Sequence, residues 1–169
     1  MSTMNEQCLS FYLQDQLFGI NILWVQEIRG WQKPTPLPNS GAEFLGVINI
    51  RGLVVPIVDL RIKFGFSSHR YDDTTVVIVV RLAQSDPTLP EKHVGFVVDA
   101  VSDVQDISSD QLNPVPSMKN NDLGNDDAIR GLMVLDDNKM LIVLNETQLL
   151  DLDTKELAAL VEQLEQNAA

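Results

Sequence analysis

FLGVINIRGLVVPIVDLRIKF, Phe44 to Phe64, reads as two apolar strands, Phe44–Ile50 and Leu53–Val58, joined by the two-residue tip Arg51–Gly52. Val and Ile dominate both runs and the break between them is short, the pattern of a β-hairpin. Only Asn49 interrupts the first run and only Pro56 the second, so both faces of each strand need cover. Proline cannot donate to a ladder, which predicts an edge or a bulge at Pro56. Asp59 then caps a single helical turn, Leu60–Phe64, closed by Gly65. The remaining segments are read as the cover for this hairpin.

Outward from it, the chain's 169 residues suit one domain or two small ones. A chain of that length buries roughly 70% of its unfolded surface. Apolar residues make up 44% and charged residues 21%, a folded globular composition. With 24 acidic residues against 12 basic, the net charge is −12. That field repels phosphate backbones and anionic membrane surfaces, so neither nucleic acid nor membrane insertion is expected. Cys8 is the only cysteine, which excludes a disulfide framework and a cysteine metal cluster. No signal-peptide pattern opens the sequence and no stretch has the apolar length of a membrane span, so a cytoplasmic location is expected.

Upstream of the hairpin, residues 1–7 read as a polar tail. Leu9–Leu13 and Leu17–Leu23 read as a strand pair, and Trp24–Gly30 as an extended stretch running into Pro34-Thr35-Pro36-Leu37-Pro38, where the prolines forbid a helix. Downstream, Ser67–Asp73 is a polar linker and Thr74–Leu82 (TTVVIVVRL) a strand. Ala83–Lys92 is a loop, His93–Val98 a strand and Val101–Ile107 extended. Pro114-Val115-Pro116 and the polar loop Lys119–Asp127 lead to a last hairpin, Ile129–Leu135 and Lys139–Leu144. Leu157, Leu160, Val161 and Leu164 recur at helical spacing, predicting an amphipathic helix over 151–169.

The chain contains its own first half twice. Gly19 aligns with Gly95, Val25-Gln26-Glu27-Ile28 with Val104-Gln105-Asp106-Ile107, and Pro36-Leu37-Pro38 with Pro114-Val115-Pro116. Gly46-Val47-Ile48 matches Gly131-Leu132-Met133, and Ile57-Val58 matches Ile142-Val143. Chance matching of short Val/Ile motifs is the competing explanation, but the landmarks keep their order. The expected fold is mainly β: two similar five-stranded barrels from an internal duplication, with short helices. Closure removes sheet edges, and a shared seam compensates for the small size of each unit. The expected boundaries are about 15–73 and about 74–150, followed by the C-terminal helix.

Catalytic constellations are missing from the sequence. His69 and His93 fall in no metal-ligand pattern, no Gly-rich phosphate loop occurs, and no nucleophile is paired with a base by any motif. No enzyme activity and no cofactor or metal are expected. A small-ligand or hydrolytic protein using a cleft between the copies is the reading from another class; it requires a deep polar pocket. The surface candidates are few. In an extended Trp24–Gly30, Val25, Glu27 and Arg29 share one face, either a partner-binding strip or the solvated side of an edge strand. Arg51 offers a planar fork suited to carboxylates, whereas the second copy has Asp136-Asp137-Asn138 at its tip. Met118, in a polar loop, either tucks onto its barrel or forms an exposed apolar contact.

VQEIRG at Val25–Gly30, FLGVINIRGLVVPIVDLRIKFG at Phe44–Gly65 and GFVVDAVSDV at Gly95–Val104 resemble the CheW family of bacterial chemotaxis coupling proteins. The likeness runs from about Leu9 to Leu150. It implies SH3-like barrels, with Leu9–Leu13 crossing to complete the second one. It also implies a non-enzymatic adaptor that couples chemoreceptor tips to the regulatory domain of the histidine kinase CheA, and assembles them into arrays at the inner membrane face. A coupling protein of a related pilus or other chemosensory pathway has the same signature. By that resemblance Val25, Glu27, Arg29, Gly46 and Arg51 fall in partner-contact motifs. Gly46 would permit close approach, Val101 and Val104 would border an inter-barrel groove, and Met118 would sit near a ring-type contact.

Overall fold

In the computed structural model, residues 5–38, 42–66, 70–82, 88, 92–114 and 128–145 are described. They form ten strands: β1 (Asn5–Leu13), β2 (Gln16–Asn21), β3 (Val25–Gly30), β4 (Phe44–Ile50), β5 (Leu53–Asp59), β6 (Val76–Leu82), β7 (Lys92–Val98), β8 (Ala100–Ser108), β9 (Ile129–Val134) and β10 (Met140–Leu144). One helical turn, α1 (Leu60–Lys63), follows β5, and the expected Asp59 cap accepts from the Arg61 amide at 2.9 Å. Met118 and the helix expected over 151–169 lie outside the described residues.

The strands make two five-stranded sheets, ordered β8-β1-β2-β10-β9 and β3-β6-β7-β5-β4. These orders are the same order twice, with β1, β2, β8, β9 and β10 matching β6, β7, β3, β4 and β5. In both, the second strand of the unit runs parallel to the last, β7 with β5 and β2 with β10. In both, the hairpin carries a register shift beside a glycine, between Phe44 and Gly46 and between Ile129 and Gly131. The ladder pairs Ile57 with Gly46 and Val143 with Gly131, so Ile57 corresponds to Val143. The sequence alignment of Ile57 with Ile142 is therefore corrected by one position.

The sheets are not the contiguous halves 15–73 and 74–150. Each takes two strands from one repeat and three from the other: β1 and β2 join β8–β10, while β6 and β7 join β3–β5. The expected crossing of Leu9–Leu13 is thus half of a reciprocal exchange. The connections explain it. Only the turn Ile22–Trp24 separates β2 from β3, and only Asp99 separates β7 from β8. So short a link can return the chain only beside the strand it has left, and both sides of β2 (β1 and β10) and of β7 (β6 and β5) are taken, so the chain enters the other sheet.

Each sheet curls until its end strands meet. Beyond β3, the amide and carbonyl of Thr35 pair with those of Val47 on β4 at 2.8 and 2.9 Å. Asn113, beyond β8, pairs identically with Leu132 on β9. Those bonds also accommodate Pro56. It lies opposite Val47, whose polar groups turn outward to Thr35, and the ladder to β7 begins only at Ile57. Pro56 therefore stands in an interior strand, not at an edge or bulge, at a position where no donor is required.

Three apolar clusters follow from the pleat. Val77 and Val79 of β6 point into the core of their own sheet with Ile48, Ile50, Val55, Ile57 and Val97. Ile78 and Val80 point the other way, into a shared core containing Leu9, Phe11, Phe18, Ile20, Phe96 and Leu144. The all-apolar run VVIVV is apolar because both of its faces are buried. Cys8, Leu17, Met133, Leu141 and Val143 fill the other sheet. The tail expected over residues 1–7 is corrected in part: Asn5, Glu6 and Gln7 pair with Ser108, Ile107 and Asp106 of β8.

Candidate functional site

β3 and the β4–β5 tip converge at the mouth of the second sheet's core. The tip is the expected tight turn, with φ of 53° at Arg51 and 86° at Gly52, both in the left-handed region. Asn49 Oδ1 accepts from the Gly52 amide at 2.8 Å and fixes the turn. Across the sheet's closing edge, Arg51 Nη2 donates to Glu27 Oε2 at 2.6 Å. The Arg51 side chain is 72% exposed and that of Glu27 only 21%, so the guanidinium projects outward while its acceptor lies beneath. The second carboxylate oxygen, Oε1, is buried and accepts no hydrogen bond, with Arg29 Nη1 3.6 Å away.

Below this pair is a cleft of about 180 Å³ lined by Gln26, Glu27, Ile50, Arg51, Leu53, Val55, Val79 and His93. Its floor residues Ile50, Val55 and Val79 belong to the sheet's core. Pockets for drug-sized ligands span roughly 300–1,000 Å³. This one has room for a protruding side chain. Among the described residues, no group of three or more His, Cys, Asp or Glu is placed to hold a metal ion.

The sequence-derived candidates divide accordingly. Glu27, Arg29 and Arg51 come together, but the face expected for Val25, Glu27 and Arg29 is broken by a bulge between Val25 and Glu27. Val25 lies opposite Val80 and packs half-buried against the shared core, whereas Glu27 lies opposite Val79 on the other side of β3. Glu27 and Arg29 are half-buried and so do not form the fully solvated side of an edge strand, whereas Gln26 and Ile28 are exposed, Ile28 by 48%. Gly46 is buried with φ of 142°, and a Cβ there would lie 2.1 Å from the Thr35 carbonyl oxygen. The close approach it permits is by its own chain. Val101 and Val104 sit on β8 in the other sheet, Val101 packed on the shared core and Val104 45% exposed.

Sequence reading missed Arg61. Its side chain is 0% exposed, donating through Nε and Nη2 to Asp59 at 3.0 Å each, and through Nη1 to Asp99 at 2.7 Å and the Arg70 carbonyl at 2.9 Å. Tyr71 donates to Asp59 Oδ2 at 2.6 Å, its ring lies under the guanidinium, and Trp31 stacks on it at 4.6 Å. Burial opposes the charge on Arg61, but the hydrogen bonds to Asp59 and Asp99 outweigh it and hold its pKa above the usual guanidinium value. Burial and the bond to Asp59 push the Tyr71 hydroxyl up. The available signal was a charged residue two positions after a cap, inside an otherwise apolar turn.

The family model for the CheW-like domain matches residues 7–154. A probable chemotaxis protein CheW from Rhizobium etli is 37% identical over 155 residues, covering 92% of this chain and 93% of that protein. A chemotaxis protein CheW from Klebsiella aerogenes is 43% identical over 114 residues, 68% of this chain and 64% of that protein, just under two thirds of its length. Among solved structures, the scaffolding protein TtCheW from Thermoanaerobacter tengcongensis matches with a TM-score of 0.70 and 25% identity, covering 85% of this chain and 86% of that one. Among the described residues no helix is long and apolar enough to cross a membrane.

Proposed function

Because the chain belongs to the CheW-like domain family, we propose that it is a chemotaxis adaptor that performs no bond chemistry and joins a CheA-type histidine kinase to chemoreceptor tips. In this reading the protein is cytoplasmic and is recruited to receptor arrays. The observation that carries it is the Glu27–Arg51 pair above a side-chain-sized cleft, flanked by exposed Ile28 and Leu53. Such a mixture of an exposed guanidinium and small apolar area suits a protein partner: Arg supplies directional bonds to a carboxylate, and the apolar rim excludes water. Arg29 supports Glu27 in this docking face, and Val25 is proposed as a neighbouring contact at the start of β3. Val104 and Val101, on β8 of the other sheet, belong to a second face for a different partner. Two faces on one rigid body are what a coupling protein requires. Met118 is proposed as a contact of that second unit.

Retention of this protein by the kinase's regulatory domain and by a receptor signalling fragment tests the reading, together with kinase activity in the ternary mixture. Arg51→Glu places a second carboxylate against Glu27 and is expected to lower kinase activation at least tenfold. The exposed pair itself contributes only about 0–1 kcal/mol to stability, so the variant stays folded. Failure of both partners to retain the wild-type chain at micromolar concentration, with no effect of Arg51→Glu, overturns it.

A further inference from the structure

Apolar contacts and a directional ion pair cross the seam between the sheets. The shared aliphatic core, the stacking of Phe18 on Phe64 at 5.5 Å and its edge contact with Phe66 tolerate small slides and rotations. The Arg61 guanidinium does not. Its fork is fixed to Asp59, the last residue of β5 in the second sheet. Its remaining arm reaches Asp99 Oδ1 at 2.7 Å. Asp99 is the single residue at which the chain leaves β7 of that sheet and enters β8 of the other. It is itself pinned to the first sheet: its amide donates to the Tyr12 carbonyl at 3.0 Å, and its Oδ2 accepts from the Gln14 amide at 2.7 Å. One guanidinium thus links the end of β5, the crossover and the β1–β2 turn.

We propose that the Arg61–Asp99 pair is the strut that fixes the angle between the two sheets, which makes both of them positioning residues for the two docking faces. A part-buried ion pair, here with the Asp99 side chain 34% exposed, is weak as a source of net stability. Its distinctive property is geometry. Relative placement of the faces is what an adaptor transmits, and that half of the proposal rests on the adaptor reading; the strut itself does not.

The test therefore has a partner-free arm. Spin labels at Gln32→Cys, beyond β3, and Met140→Cys, on β10, report the distance between the sheets, with Cys8 left in place because it is buried. Asp99→Ala is expected to shift or broaden that distance distribution; an unchanged distribution overturns the strut. Where Asp99→Ala does not fold, Asp99→Asn, which keeps the size and removes the charge, is judged by the same criterion. In the second arm, unlabelled Asp99→Ala is expected to bind kinase domain and receptor fragment separately within twofold of wild type, and to activate the kinase at least fivefold less. Full activation, or loss of one pairwise affinity alone, overturns the positioning role. A wild-type chain that binds neither partner removes the adaptor reading while leaving the label distances to decide the strut.

Discussion

At the scale of single residues, burial decides which substitutions matter. Asp59 caps α1, accepts two N–H groups of the buried Arg61 guanidinium and receives the Tyr71 hydroxyl, while its own side chain is fully buried. Asp59→Ala leaves a buried guanidinium with one carboxylate and removes the cap. It is expected to cost about 3–5 kcal/mol, read as a lower urea midpoint at unchanged slope. Gly46→Ala acts through sterics alone: φ of 142° disfavours any Cβ, and the Thr35 carbonyl occupies its place. The expected cost is on the order of 3 kcal/mol, measured the same way, because strain and clash add. Neither residue owes its identity to the surface. The sequence marks Gly46 and Asp59 as special by type and position, in the hairpin and before its helical turn. Its signal at Arg61 is faint, because an Arg amid apolar neighbours reads as a snorkelling surface residue until the Arg70 carbonyl and Asp99 join the nearby Asp59 around it.

At the scale of elements, hairpins were legible and their surroundings were not. The tip Arg51–Gly52 and the loop Asp136-Asp137-Asn138 declare themselves by length and residue type, and Asn138 indeed takes the left-handed conformation with φ of 63°. β1 is longer than its apolar part suggests, because what extends it is pairing with β8 and an ion pair to β9: Arg130 donates to Glu6 at 2.5 and 3.0 Å. Both partners are polar, so periodicity could not find them. The hydrogen bond from Arg130 lowers the Glu6 pKa below its ordinary value of 4.5, burial partly opposing and the Arg130 charge adding to the effect. A carboxylate lowered on folding stabilises above its unfolded pKa and loses that contribution as pH falls through its folded one. Glu6→Gln is therefore expected to cost about 0.5 kcal/mol at pH 7, as a partly exposed pair does. The difference should shrink below pH 4.5 and vanish once wild-type Glu6 is also protonated; thermal melts of both chains from pH 7 to 3 check it.

At the scale of the whole molecule, the duplication was readable but the exchange of strands was not. Alternation along a strand tells which face is buried, never which sheet supplies the cover. TTVVIVVRL announces a strand buried on both sides, and that is all it announces. The two short crossovers, Ile22–Trp24 and Asp99, decide the partition, and they make the halves interdependent. A chain cut between Phe66 and Arg70 yields one piece with β1–β5 and another with β6–β10. In the first, β3–β5 lack β6 and β7, the strands that close their core, and β1 and β2 lack β8–β10; the second has the converse defect. Neither piece can assemble a sheet of the native order, and each exposes the apolar faces that the shared core covers. Separately expressed fragments are expected to lack native dispersion in NMR spectra. Mixed after co-refolding, they should form a one-to-one complex that melts in a single transition. Two contiguous barrels would behave in the opposite way, each fragment folding alone and melting independently, so either fragment giving a dispersed spectrum by itself would rule out the exchanged topology.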